Sequence, residues 1–226
     1  MLVVDDDPEI RELVQIYLKT EGYQVEQAAG APEALAWLQT HEADLILLDV
    51  MMPDMDGVQA CMRIRQERQM PIIMLSAKTQ DMDKIHGLTA GADDYITKPF
   101  NPLELIARVK SQLRRYLQFR PTPTAPQDEV QVEDLIINTA THRVTVGGRE
   151  ASLTPTEFAI LAFLARNRGL VLSAEKIYEH VWNEPYFDSA NTVMVHIRKI
   201  REKLGENPRK PRYIKTVWGV GYRLES

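Results

Sequence analysis

The side chains best suited to chemistry lie in the first half of the 226-residue chain, each at or just beyond the end of a short, mostly apolar run. Asp5-Asp6-Asp7 follows Leu2 to Val4, Asp49 follows Leu45 to Leu48, Ser76 follows Ile72 to Leu75, and Lys98-Pro99 follows Asp94 to Ile96. Carboxylates crowded into one pocket repel each other, so they persist only when protonated, paired or bound to a cation. An oxygen-only ligand set without His or Cys selects a hard ion. A few carboxylates with a backbone carbonyl and waters suit Mg2+, which leaves positions open for phosphate oxygens. Asp49 as nucleophile would form an aspartyl phosphate, and that chemistry requires charge neutralisation more than a strong base. Lys98 offers a compact positive charge, and the Ser76 hydroxyl can donate to a phosphoryl oxygen. Asp7 precedes Pro8 and reads instead as a helix cap.

These residues converge only if the apolar runs are neighbouring strands. Leu2 to Val4, Tyr23 to Ala28, Leu45 to Leu48, Ile72 to Leu75 and Asp94 to Ile96 alternate with helical stretches. The clearest of these is Pro8 to Glu21, where Ile10, Leu13, Val14, Tyr17 and Leu18 follow the spacing of one buried face. Alternating strands and helices predict a five-stranded parallel sheet covered on both sides. Sites in such sheets form beyond the carboxyl ends of the strands, where strand order reverses.

Composition narrows the classes further. Apolar residues make 44% of the chain and charged residues 26%, ordinary globular usage. The apolar runs are far shorter than the ~20 residues of a membrane span, and no basic-then-apolar leader opens the chain, so a cytoplasmic protein without membrane attachment is expected. The single cysteine, Cys61, excludes an internal disulfide, and the histidines at 41, 86, 142, 180 and 196 lack metal-ligand spacing. Residues 1–116 carry 12 basic against 19 acidic side chains, whereas residues 117–226 carry 15 against 13. Within the latter, residues 191–223 hold nine basic and two acidic side chains, a concentration that points to nucleic acid.

The prolines of Pro121 to Pro126 forbid helix and favour an extended spacer, which divides the chain into residues 1–116, a linker over 117–127, and residues 128–226. The second part opens with strand-like runs at Gln131 to Ile137 and Thr141 to Val146 and a turn at Gly147-Gly148. Thr154-Pro155-Thr156-Glu157 is a capping-box start to a helix through Asn167, and Ser173 starts another ending near Trp182. A third helix runs from about Asn191 to Leu204. Its buried face carries Val193, Ile197, Ile200 and Leu204; Asn191, Val195, Arg198, Lys199 and Glu202 are expected to point away. A basic helix preceded by two others can lie in the major groove of double-stranded DNA. Tyr213 to Val217 and Gly221 to Leu224 read as a hairpin around Trp218-Gly219.

With these residues in view, Val4-Asp5-Asp6-Asp7, Asp49-Val-Met-Met-Pro53-Asp-Met-Asp-Gly57, Ser76-Ala77 and Asp93-Asp94-Tyr95-Ile-Thr-Lys98-Pro99 resemble the receiver domain of response regulators, a flavodoxin-like doubly wound α/β fold. The family usually has further residues before the first strand, so a late-assigned start and a short first strand are both open. The resemblance implies phosphorylation of Asp49, Asp5 and Asp6 as an acidic pair, Mg2+ on Asp6, Asp49 and the Met51 carbonyl, and Ser76, Lys98 and Tyr95 as phosphate contacts and switch. Such a domain is a phosphoacceptor, with magnesium-dependent self-phosphorylation and dephosphorylation only. A phosphatase with an aspartate nucleophile would want a second aspartate where Met51 stands, and no Gly-rich nucleotide loop is present.

Leu153-Thr-Pro-Thr-Glu-Phe158, Val195-His-Ile-Arg-Lys199 and Thr216-Val-Trp-Gly-Val-Gly-Tyr222 resemble the α+β winged helix-turn-helix domain of the OmpR/PhoB subfamily. The residue set is also similar to VanR-type regulators of cell-wall stress responses. This resemblance implies Val195 and Lys199 near base edges and Trp182, Thr192, His196, Arg198, Arg201 and Tyr222 at phosphates. A sensor histidine kinase is the implied phosphodonor, RNA polymerase a further partner, and a phosphorylation-dependent homodimer the DNA-binding form. Its interface would pair Lys84 with Glu104, Asp94 with Arg108 and Asp93 with Arg115 around Ile85, Leu88 and Ala107.

Overall fold

A computed structural model describes residues 1–77, 87–118, 129–183, 186, 190–207 and 210–225. It divides into two compact units, Met1–Tyr116 and Leu117–Ser226. The first holds a parallel sheet of β1 (Leu2–Val4), β2 (Glu26–Ala28), β3 (Ile46–Asp49), β4 (Ile72–Ser76) and β5 (Asp94–Thr97), in the order β2-β1-β3-β4-β5. Among the described residues it is accompanied by the helices α1 (Pro8–Thr20), α2 (Ala31–Thr40), α3 (Gly57–Glu67) and α4 (Pro102–Gln118). Between β4 and β5 the described chain includes a helical turn at 87–89.

The pleat sends alternate strand residues to opposite faces. Leu2, Val4, Ile46, Leu48, Ile72 and Met74 share one core with α2 and α3, and Val3, Leu45, Leu47, Ile73, Leu75 and Ile96 share the other with α1 and α4. Strands buried on both faces explain the continuous apolar runs. The chain turns from β1 outward to β2 and then back across to β3, so the order reverses beside β1 and β3, the strands that end at Asp5 and Asp49. Short as it is, β1 is fully buried and paired with both neighbours, which fixes Asp5 directly after it.

Two expectations need correction. The second strand starts at Glu26 rather than Tyr23, because the Tyr23 amide still donates to Leu18 O and closes α1. On α1, Val14 and Leu18 are buried but Leu13 is 39% exposed, so the buried stripe is narrower than the spacing predicts. The start of α1 follows the reading of Asp7, whose carboxylate accepts from the Glu9 amide at 2.8 Å.

The second unit opens with an antiparallel sheet, β6 (Glu129–Val132), β7 (Leu135–Asn138), β8 (Arg143–Val146) and β9 (Arg149–Glu150). The single run expected over 131–137 is two strands, reversed where Glu133 takes a positive φ of 54°. Gly147 and Gly148 both have positive φ, as a tight hairpin between β8 and β9 requires. Three helices follow, α5 (Pro155–Arg166), α6 (Ala174–Trp182) and α7 (Ala190–Lys203), then the hairpin of β10 (Ile214–Val217) and β11 (Gly221–Leu224). Thr154 and Glu157 form the reciprocal capping box of α5, and Ser173 caps α6. Val193, Ile197, Ile200 and Leu204 enter a shared core with Phe158, Leu161, Ile177, Trp182, Tyr213 and Leu224.

Candidate functional site

In the first unit the strand ends bring together what the chain separates. Lys98 Nζ lies 2.6 Å from Asp5 Oδ2 and 2.6 Å from Asp49 Oδ1, bridging two carboxylates 44 positions apart in sequence. Asp5, Asp49 and Ser76 are buried at 0%, 3% and 5% exposure, while Asp6 is exposed, so the pocket opens to solvent on the Asp6 side. Each group is held in place. Asp5 Oδ1 accepts from the Asp7 amide at 3.0 Å, and the Asp5 carbonyl accepts from Arg11 Nη1 at 2.6 Å. Asp49 Oδ2 accepts from the Met51 amide at 2.9 Å, which sets the Met51 backbone beside that carboxylate. The Lys98 amide donates to Ser76 O at 2.7 Å. Tyr95 is half-buried on β5 against the core shared with α2 and α3.

Burial pushes the Asp49 carboxyl up; Lys98 and the Met51 amide oppose the rise, Asp5 adds to it, and the net shift is upward. Burial would lower the Lys98 ammonium, but its bonds to Asp49 and Asp5 outweigh that and raise it. At Asp49, therefore, one lysine does not fully offset the cost of burial. Carboxylate oxygens of Asp5, Asp6 and Asp49 lie within 4.8 Å of one another, an oxygen-only donor set that fits a small hard cation such as Mg2+.

Gly57, at the start of α3, presses on the same loop. A Cβ there would sit 2.0 Å from the Asp49 carbonyl oxygen, and the Gly57 amide donates to Val50 O at 3.0 Å. Its signal in the sequence is the glycine directly after the helix-capping Asp56, whose carboxylate accepts from Gln59 N.

In the second unit the exposed line of α7 is Met194, Arg198 and Glu202, four residues apart. Lys199 and Asn191 flank it, partly exposed. Four residues expected at DNA are buried in this structure: Trp182, Thr192, Val195 and His196 are 1%, 2%, 4% and 2% exposed. The reason is packing. Trp182 stacks on Tyr178 with centroids 4.7 Å apart and lies 5.5 Å from the His196 ring, so the inner surface of α7 is wider than its aliphatic stripe.

Arg201 is likewise directed inward. It donates from Nη2 to Ile214 O at 2.7 Å and to Thr216 Oγ1 at 2.9 Å, with the buried Glu206 carboxylate 3.8 Å from Nε. Burial depresses its guanidinium below the usual arginine value, with Glu206 working the other way. Tyr222 is half-buried on β11, where its backbone pairs with Leu172 in both directions at 2.8 Å. Trp218 and Val220 at the hairpin tip are 89% and 57% exposed.

Residues 1–110 match the family model of the response regulator receiver domain, and residues 148–224 match that of the transcriptional regulatory protein, C terminal. The chain is 49% identical over 226 residues to the regulatory protein VanRc of Enterococcus gallinarum, spanning 100% of this chain and 98% of that protein. It is 42% identical over 228 residues to the transcriptional regulatory protein ResD of Bacillus subtilis, spanning 100% and 95%. Among solved structures, a C128D mutant of RitR aligns with TM-score 0.76 at 27% identity over 100% of this chain and 98% of that one. DrrB of Thermotoga maritima, an OmpR/PhoB homologue, aligns with TM-score 0.50 at 36% identity over the same shares. The chain belongs to the OmpR/PhoB response regulators.

As such a regulator it is a DNA-binding component of a two-component system, with a receiver domain of the phosphoacceptor class and a winged-helix effector domain. No helix among the described residues is long and apolar enough to cross a membrane.

The face expected to join two receivers is partly committed within one chain of this regulator. Asp93 is fully buried and pairs with Arg65 at 2.6 Å, and its Oδ2 also accepts from the Ile72 amide at 3.0 Å, so it is not free to meet a second subunit. Arg65, which the sequence reading missed, also donates to Gly91 O and Met70 O. Arg108 bonds Asp94 at 3.1 Å and Glu104 at 3.0 Å in its own chain. Arg115 is 8% exposed and bonds Gln112 and Ser111, and Leu88 is 2% exposed. Glu104 and Ala107 remain exposed on α4 beside Leu103 at 75%. Lys84 and Ile85 lie outside the described residues.

Proposed function

We propose that this regulator accepts a phosphoryl group on Asp49 from a sensor histidine kinase, dimerises through its receiver and regulates transcription at direct-repeat DNA sites. The observation that carries the reading is the Lys98 ammonium bridging Asp5 and Asp49 at 2.6 Å in a pocket with Ser76 at the next strand end. In the transfer an Asp49 carboxylate oxygen bonds to phosphorus while the bond to the kinase histidine breaks and the imidazole leaves. Lys98 favours the ionised carboxylate that attacks and then balances the charge on the phosphoryl oxygens. Ser76 donates to one of those oxygens, and Tyr95 on β5 takes up the accompanying shift. Asp6, Asp49 and the Met51 carbonyl would hold Mg2+, which when bound neutralises phosphate charge and orients the phosphoryl group.

For DNA, the accessible Arg198 and Lys199 on α7 and Tyr222 on β11 form the contact set. A two-fold receiver dimer with its DNA-binding domains on proline-rich spacers permits head-to-tail binding to repeats about 10–11 base pairs apart. RNA polymerase is the downstream partner. The deciding experiment is intact-mass spectrometry with Mg2+ and a small acyl phosphate. Wild type should gain one hydroxylamine-labile phosphoryl group and Asp49→Ala none; equal labelling of both would overturn the assignment.

A further inference from the structure

The exposed line of α7 begins with an apolar residue. Met194 is 46% exposed, the one large apolar side chain that the described part of this helix presents to solvent. Its core side is already complete, with Val193, Ile197, Ile200 and Leu204 between 0% and 4% exposed. Packing in the domain core therefore gives no reason for a methionine here. One turn further along, Arg198 has a side chain 71% exposed, which among the described residues pairs with Glu202 at 2.9 Å. Such a pair is worth about 0 to 1 kcal/mol and exchanges readily for another acceptor.

We infer that Met194 packs on the C5 methyl group of a thymine in the major groove and makes this regulator prefer thymine at one position in each half-site. The inference rests on the DNA-binding reading of α7. Guanine, cytosine and adenine present only donors and acceptors at their major-groove edges, whereas thymine adds a methyl group, the one apolar feature of the groove. A thioether with three rotatable bonds and no donor cannot read the polar edges but fits a methyl of imperfectly fixed position. Val195, expected from the sequence to be the apolar contact to a base, is only 4% exposed, which leaves Met194 for that role. Arg198 is then the neighbouring donor, to a phosphate.

The test uses the full-length protein, activated with acyl phosphate and Mg2+, and the duplex it selects from a random pool. Each thymine in that duplex is replaced singly by deoxyuridine, which deletes the methyl and leaves the hydrogen-bonding edge intact. One replacement per half-site should weaken wild type about fourfold, the factor for burying one methyl-sized group. Met194→Ala should bind the parent duplex more weakly and be indifferent to that replacement, whereas Met194→Leu should retain the sensitivity. Met194 is exposed, so these substitutions leave the core intact, and unchanged melting curves verify it. Indifference of wild type to every replacement would overturn the inference while leaving DNA binding intact, as would a Met194→Ala variant as sensitive as wild type. Failure of wild type to enrich any duplex would remove the DNA-binding reading of α7 itself.

Discussion

Replacing Arg201 distinguishes a residue that grips DNA from one that braces the domain. Its guanidinium bonds Ile214 O and Thr216 Oγ1 on β10, and Glu206 beside it has a side chain at 0% exposure. Glu206 also accepts from the amides of Tyr213 and Ile214, so this carboxylate and this guanidinium together tie α7 to the hairpin. Hydrogen bonds from a charged donor contribute about 1.5 to 3 kcal/mol each, partly offset where water can replace the donor. With the side chain 14% exposed, little water enters, and Arg201→Ala should cost about 3 kcal/mol. That is a large share of the 5 to 15 kcal/mol available to a domain and should lower its melting temperature by about 10 °C or more. Urea unfolding followed by the fluorescence of buried Trp182 measures the loss, and the salt dependence of DNA binding measures the alternative. Arg198→Ala, at a largely exposed side chain, should show the reverse pattern: stability within about 0.5 kcal/mol of wild type and a log-log salt slope shallower by about 0.9. If Arg201→Ala keeps full stability and loses about 0.9 of salt slope, Arg201 is a phosphate contact and the bracing argument is wrong.

Gly57→Ala should lower both phosphoryl labelling and receiver stability, the latter by about 1 to 3 kcal/mol, because the new Cβ meets the Asp49 carbonyl at 2.0 Å; normal labelling by mass spectrometry would count against this. For the dimer, Asp94→Arg and Arg108→Asp should each fail to dimerise alone, yet an equimolar mixture should form heterodimers in sedimentation. The mixed pair is complementary across the interface while the pair within each chain stays broken, so no rescue on mixing would mean that Asp94 and Arg108 serve only their own subunit. The Tyr213 phenol is pushed up to about 12, first by burial and then by its bond to Asp134 at 2.7 Å. A proton held more tightly when folded stabilises fully below the unfolded value near 10 and is lost as pH rises through the folded one. The stability advantage of wild type over Tyr213→Phe in urea should therefore shrink between pH 10 and 12, and a constant difference would contradict it.

The receiver pocket was readable because topology does the convergence. Once short apolar runs alternate with helices, a parallel sheet follows, and every residue after a run is carried to the same edge of it. Asp5, Asp49, Ser76 and Lys98 needed no knowledge of packing to be assembled. Gly57 and Arg65 were harder to find because their roles depend on contact distances: one on the close approach of α3 to the Asp49 backbone, the other on a buried partner 28 positions away.

Helix α7 shows where periodicity runs out. The family resemblance puts Thr192 and His196 at phosphates, yet both are buried, and the exposed line runs through Met194. A helical wheel assigns burial from hydrophobicity, so it cannot see that a neighbouring aromatic, here Trp182 on α6, offers a surface beside which the His196 imidazole packs. The same ambiguity attends charge. Opposite charges at Asp94 and Arg108 suit an intersubunit pair and an internal one equally well, since Coulomb attraction carries no record of which chain supplies each partner. Only the distance of 3.1 Å within one chain separates the two, and it implies that a receiver dimer using Arg108 must exchange an existing bond for a new one. In the proposed dimer such an exchange would be close to neutral in free energy, so that a small phosphorylation-driven shift in the receiver would suffice to decide between monomer and dimer.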